Sequence, residues 1–236
     1  MTRRIGLLGG TFDPIHCGHL DVGTAAQEAL GLTRVLVITS NIPPHRPQPV
    51  ASAYYRFAMV ALAIANRPAW RAVDVELRAS TPSYTSATLG RFHERGYAPS
   101  ELFFVIGADA FADIGTWRDY PSILDAAHFA VVSRPGFPAA QIRDRLPHLA
   151  PRMAPARIDA IDERARMIFL IDAPTADVSS SAIRRHVAAG EPITGLVPIA
   201  VQQHIEQHGL YQSVTPGRRA SDALLLPTAG RLHGQD

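Results

Sequence analysis

Residues Gly9-Gly10-Thr11-Phe12-Asp13-Pro14-Ile15-His16-Cys17-Gly18-His19 stand directly behind the apolar run Ile5–Leu8 and directly before the helix-periodic stretch Leu20–Leu30. A short apolar run that meets paired glycines and then a helical pattern reads as a buried strand, a tight loop and a helix start. The glycine pair lets the backbone pass close to a bound group in conformations closed to other residues. Asp13-Pro14 favours a turn, because proline pushes the residue before it out of the helical region. A helix opening near Gly18 presents unpaired N–H groups and a positive dipole end at the carboxyl edge of the first strand. That is an anion site.

Working outward, Val35–Thr39, Leu102–Ile106 and Phe129–Val132 repeat the first apolar run, with Val73–Leu77 and Met167–Ile171 as further strand candidates. Helical patterns lie between and after them: Tyr54–Asn66, Ser86–Arg95, Ile123–Ala127, Ser179–Ala189 and Pro198–His208, with Gly190 and Gly209 as stops for the last two. Strands alternating with helices predict an α/β domain with a parallel sheet and C-terminal helices. Continuous apolar runs predict strands covered on both faces. In such a sheet, ligands bind beyond the carboxyl ends of the strands where the strand order reverses. Pro138, Pro147, Pro151 and Pro155 break up the stretch before the last strand, which reads as a variable excursion. One domain over 1–211 and a flexible tail over 212–236 are expected.

The 236 residues are 47% apolar, with a formal net charge of +2, so neither general disorder nor a nucleic-acid partner is indicated. The single cysteine, Cys17, permits no intrachain disulfide and suits a reducing, cytoplasmic setting. No apolar run is long enough for a membrane span. All 23 basic Lys/Arg positions are arginine, so any cationic side chain on a phosphate here is a guanidinium or an imidazole.

His16 and His19, three residues apart, share one side of the helix start. Two imidazoles beside a phosphate site can donate hydrogen bonds to phosphoryl oxygens as charge builds there. A His-x-x-His pair supplies only two ligands and makes a poor zinc site, and no protein-held metal is expected. The loop lacks the Gly-Lys-Ser/Thr ending of a Walker A motif and is not a Gly-x-Gly-x-x-Gly fingerprint.

Gly9–His19 resembles the signature of the nucleotidyltransferase superfamily that carries a T/HxGH motif. The chain to about Tyr211 is similar to bacterial nicotinate-nucleotide adenylyltransferases. The resemblance implies a Rossmann-like, doubly wound sheet and transfer of AMP from ATP, with Mg2+, to nicotinate mononucleotide. It implies phosphate contacts by Ser179, Ser180 and Arg184, where Ser181 replaces the family's threonine; a serine-capped helix start is itself a donor set for an anion. ATP would meet Gly9, Gly10, Thr11, Phe12, His16, Gly18 and His19 as well. His16, His19, Arg46 and Arg184 are the expected catalytic groups.

The acceptor would be held by His45, Arg46, Ser83, Tyr84, Thr85, Asp109, Trp117 and Arg134. Pro43-Pro44 stiffens the loop carrying His45 and Arg46; Arg46 stands where the family has lysine. The resemblance assigns Pro82–Thr85 to the nicotinate carboxylate, and Ala87 replaces an acidic residue common there. Asp109, at a strand end, is placed for a ribose hydroxyl or as a helix cap. Trp117 can stack on a pyridinium ring or pack in the core. Arg134 is a candidate clamp on the mononucleotide phosphate. Competing readings are a sibling transferase with an acceptor such as phosphopantetheine, and a nucleotide-binding module without turnover.

Overall fold

The computed structural model describes residues 3–44, 48–79, 81–157, 161 and 164–213. Among these, seven strands form one parallel sheet: β1 Ile5–Gly10, β2 Arg34–Thr39, β3 Trp70–Val73, β4 Leu102–Gly107, β5 His128–Val132, β6 Met153–Pro155 and β7 Ile168–Ile171. Their order is β3-β2-β1-β4-β5-β7-β6. The chain winds outward from β1 in one direction and from β4 in the other. The order therefore reverses between β1 and β4, and a crevice opens at their carboxyl ends.

The helices are α1 Cys17–Leu30, α2 Ala53–Ala63, α3 Thr85–Glu94, α4 Ala108–Phe111, α5 Ile142–Arg145, α6 Ser180–Ala189 and α7 Ile199–Gln207. Successive strand residues feed opposite faces of the sheet. On β4, Phe103 and Val105 join one core with Leu20, Ala26 and Leu30 of α1, Met59 and Val60 of α2, Ile183 of α6 and Val201 and Ile205 of α7. Leu102, Phe104 and Ile106 join the other core, with Leu89 and Phe92 of α3 and Phe111 of α4. Both faces are covered, which is why the strand signal in the sequence is unbroken apolarity.

Gly190 and Gly209 take left-handed φ of 72° and 57° and end α6 and α7 as expected. Two expectations give way. The strand placed at Val73–Leu77 lies earlier, at Trp70–Val73. Residues after Val73 turn instead, held by Arg78 Nη2 at 2.8 Å from Asp74 Oδ2. The helix placed at Ile123–Ala127 is a short 3-10 turn, Ser122–Asp125. Within the proline-broken excursion the chain adds β6, an edge strand where Pro155 removes no interior hydrogen bond. No helix among the described residues is long and apolar enough to cross a membrane.

Candidate active site

β1 ends in Gly10 on the β1–β4 crevice, and α1 begins at Cys17 with His16 as its extended N-cap. The rings of His16 and His19 stack with centroids 3.7 Å apart. The His16 backbone N–H donates to His19 Nδ1 at 3.3 Å, which leaves the His19 ring proton on Nε2. His16 is buried and its Nδ1 has no hydrogen-bond partner among the described residues. Burial first, and the Arg134 charge second, bring its pKa down to about 3. His16 is therefore a neutral imidazole at physiological pH, and an anion placed beside it would favour protonation.

The loop is shaped from beneath. Phe12 takes a left-handed φ of 51° and is buried, so its ring is a packing element, 5.0 Å edge-on to His19, and not a side chain offered to a ligand. A Cβ on Gly10 would lie 2.8 Å from that ring, which is why a side chain is excluded there. The Asp13-Pro14 peptide is cis. The Asp13 carboxylate accepts from Val50 N–H at 2.8 Å, Ala51 N–H at 3.1 Å and the Tyr211 hydroxyl at 2.8 Å. Burial and this carboxylate push the Tyr211 phenol far up, so it serves only as donor. Arg56, also buried, donates to the carbonyls of Thr11 at 2.6 Å, Ser40 at 2.7 Å and Ala51 at 3.2 Å. Asp13, Arg56 and Tyr211 thus fix the loop, and sequence reasoning assigned them no such role. An arginine on the apolar face of α2 was the available signal.

A second helix start meets the first. Ser179 caps α6 by accepting from Ala182 N–H at 3.2 Å, as expected. Ser180 donates to Pro14 O at 2.9 Å, and Arg184 Nη1 donates to Asp13 O at 2.6 Å. Arg184 so reaches back to the loop from one turn inside α6. Helix starts leave their first N–H groups without intrahelical acceptors, and here two such sets converge.

Arg134, after β5, donates to Gly18 O and Val178 O, each at 3.3 Å. A Cβ on Gly18 would lie 2.8 Å from Arg134 Nη1, so glycine is what admits the guanidinium. Arg134 lines a cleft of about 350 Å³ with Asp109, Asp177, Val178 and Ser179. Arg134 and Asp109, expected with the acceptor set, stand together beside α6, and the Arg134 charge reaches His16. Ser133 holds the strand end by donating to Asp172 at 2.5 Å and accepting from Ala139 N–H at 2.8 Å.

Ser83, Tyr84 and Thr85 are brought together on the other side of the crevice, at the start of α3. Ser83 N–H donates to Ile42 O at 2.9 Å, and its hydroxyl accepts from Asn41 N–H at 2.9 Å, which ties this turn to the loop after β2. Arg118 lies 4.8 Å over the Tyr84 ring, so the Trp117-Arg118 loop joins the same cluster. Half-buried Trp117 packs edge-on against Phe104 at 6.0 Å. His45 and Arg46 lie outside the described residues. No group of three or more His, Cys, Asp or Glu among the described residues is arranged to hold a metal ion.

A doubly wound parallel sheet whose switch point carries stacked imidazoles and two converging helix starts is the frame of a nucleotidyltransferase. The chain belongs to the cytidylyltransferase-like family, whose model matches residues 7–186. Within it, the chain falls among nicotinate-nucleotide adenylyltransferases. It is 40% identical over 217 residues to the probable enzyme of that name from Cronobacter sakazakii, covering 90% of this chain and 99% of the relative. It is 38% identical over 209 residues to the one from Citrobacter koseri, covering 87% and 97%. In fold it resembles Plasmodium falciparum nicotinic acid mononucleotide adenylyltransferase complexed with NaAD, with a TM-score of 0.69 at 19% identity, covering 89% of this chain and 97% of that one.

Proposed function

We propose that this chain joins nicotinate mononucleotide to the AMP half of ATP, giving nicotinate adenine dinucleotide and pyrophosphate in NAD biosynthesis. The observation that carries the reading is the stacked His16–His19 pair where the starts of α1 and α6 meet. Its relatives' shared name supports the choice of acceptor.

The acceptor phosphate is already ionised at neutral pH, so no base has to create the nucleophile. One of its oxygens forms a bond to the α-phosphorus of ATP, and the bond from that phosphorus to the bridging oxygen of the leaving pyrophosphate breaks. Catalysis is then positioning and charge neutralisation. We assign His16, His19, Arg184 and the opening amides of α1 and α6, other than Cys17 N–H and Ala182 N–H, which donate to Leu196 O and Ser179 Oγ, to the triphosphate. Gly9, Gly10, Thr11, Phe12 and Gly18 shape the loop that admits it, Phe12 through its backbone only. Ser179 and Ser180 hold α6 in place. Arg134, between the two helix starts, belongs with the phosphates and not with the acceptor alone. Asp109, in the same cleft, suits a ribose hydroxyl.

Magnesium would enter with ATP as part of the substrate. The site's imidazoles, guanidinium groups and N–H donors address phosphate oxygens, and Asp177 is the cleft carboxylate that would face the ion. On the acceptor side, the opening turn of α3 has no side-chain cap and no acidic residue, which suits the nicotinate carboxylate. Ser83, Tyr84 and Thr85 would hold it, with Trp117 against the pyridine ring; His45 and Arg46 are proposed for the mononucleotide phosphate from the sequence. The catalytic unit would be residues 1–211, and its setting the cytoplasm.

The test is turnover: ATP with nicotinate mononucleotide, scored for pyrophosphate, beside ATP with nicotinamide mononucleotide. Pyrophosphate from the first pair at a clearly higher kcat/KM is expected. Equal rates would overturn the assignment of the α3 turn, and no pyrophosphate from either would overturn the reaction.

A further inference from the structure

Beneath the α3 turn lies a buried carboxyl group that the chemistry above does not use. Glu76 follows β3 in the turn that ends at Ala79, whose N–H donates to Glu76 O at 3.1 Å. Its side chain is buried, and the Thr88 hydroxyl donates to Glu76 Oε1 at 2.5 Å. Thr88 belongs to the first turn of α3, where its N–H donates to Tyr84 O at 3.1 Å. Burial raises the Glu76 carboxyl above its ordinary range; hydrogen bonds from Thr88 and Ser83 and the Arg91 charge oppose the rise. Thr88 thus ties Glu76 to the back of the half-buried opening of α3, and Ser83 stands in front of that opening.

Burying a carboxyl group is costly, and a carboxyl used only to satisfy a hydroxyl could be replaced by apolar packing at little loss. What an acceptor buried at this place adds is geometry. It fixes the turn preceding α3 against the helix body, and with it the directions of the first free N–H groups of the helix. The same turn is anchored on its far side through Ser83 to Asn41, whose carbonyl in turn accepts from Arg56 at 3.4 Å. Hydrogen bonds so run from the phosphate loop through Arg56 and Asn41 to Ser83, while Glu76 holds the helix side of the same turn through Thr88.

We infer that Glu76 is the positioning residue of the acceptor site, holding Thr88 so that the amides opening α3 point at the carboxylate that distinguishes nicotinate from nicotinamide. The inference rests on the reading of that turn given above. It requires Glu76 to act on acceptor recognition while leaving the ATP side untouched.

The experiment compares wild type with Glu76→Ala, Glu76→Gln and Thr88→Val on both pyridine mononucleotides, with melting curves for each. Glu76→Ala is expected to raise KM for nicotinate mononucleotide by about tenfold or more and to erode the preference over nicotinamide mononucleotide by a similar factor, as buried hydrogen-bond partners are lost. KM for ATP should stay within about twofold, since its contacts come from other elements. Glu76→Gln keeps an acceptor for Thr88 and should restore most of the preference; Thr88→Val should lose part of it. If Glu76→Ala does not fold, the other two variants carry the test. Unchanged selectivity, or ATP and nicotinate affinities falling together, would overturn the role of Glu76 while leaving a selective wild type intact. A wild type without selectivity would overturn the reading of the turn and this inference with it.

Discussion

Tyr211→Phe removes one oxygen from a buried position and leaves the ring. The hydroxyl donates to Asp13 Oδ1 at 2.8 Å, and the same carboxylate keeps Val50 N–H, Ala51 N–H and, at 3.6 Å, Arg184. A buried hydrogen bond to a charged group contributes about 1.5–3 kcal/mol. With the remaining donors in place, a loss of about 2 kcal/mol is expected, which for a chain of this length lowers Tm by about 4–8 °C. Asp13→Asn measured alone and combined with Tyr211→Phe completes a double-mutant cycle, and a coupling of at least about 1 kcal/mol is expected. Urea denaturation gives the free energies. Pyrophosphate release on the same samples should show kcat lowered severalfold, because Asp13 sits in the loop that carries His16 and His19. A loss under about 0.5 kcal/mol with no coupling would refute the account of Tyr211 as a latch on the loop.

His19→Ala should lower kcat by about 100-fold or more while KM for ATP changes by less than about threefold, since donors aimed at developing charge act mainly in the transition state; steady-state kinetics showing an unchanged kcat would remove His19 from the catalytic set. His16, held neutral down to about pH 3 in the fold, takes up a proton near 6.5 when unfolded. Its contribution to stability is therefore whole above that pH and is lost as pH falls toward 3, by up to about 1.4 kcal/mol per pH unit. Denaturation of wild type and His16→Gln from neutral to mildly acidic pH should show the steeper acid loss in wild type, and equal slopes would argue against a buried neutral imidazole. Arg56→Lys replaces a fork serving Thr11, Ser40 and Ala51 carbonyls with one ammonium. It should cost about 2–4 kcal/mol in chemical denaturation, and a cost below about 1 kcal/mol would show the fork to be dispensable.

Much of this was legible in the residues. β1, β2, β4, β5 and β7 announce themselves as apolar runs because each is covered on both faces. α1 and α6 carry their own punctuation: a glycine-proline loop ahead of one and Ser179 ahead of the other. β6 is hidden because three residues on a sheet edge, one a proline, carry neither periodicity nor length. The alternation of Val73, Val75 and Leu77 with Asp74 and Glu76 mimics a half-exposed strand, yet Glu76 is buried against Thr88 and Val75 is core. Tertiary pairing overrode the pattern. Sequence order put Arg134 at a strand end at the ligand edge but could not say which way the side chain leans; its two backbone acceptors, Gly18 O and Val178 O, come from segments far apart in the chain. Asp13 reads as a turn former before proline, and nothing local reveals that a tyrosine 198 residues away will bind it.

That separation bears on synthesis. The loop after β1 is closed by a distant part of the chain: Ser180 meets Pro14 across 166 positions and Arg184 meets Asp13 across 171. A nascent chain emerging from the ribosome would carry the histidines well before α6, yet it could not close the loop that bears them until α6, and finally Tyr211, had cleared the exit tunnel. Partial products of translation should then neither sequester ATP nor turn it over, and competence would arrive in one late step.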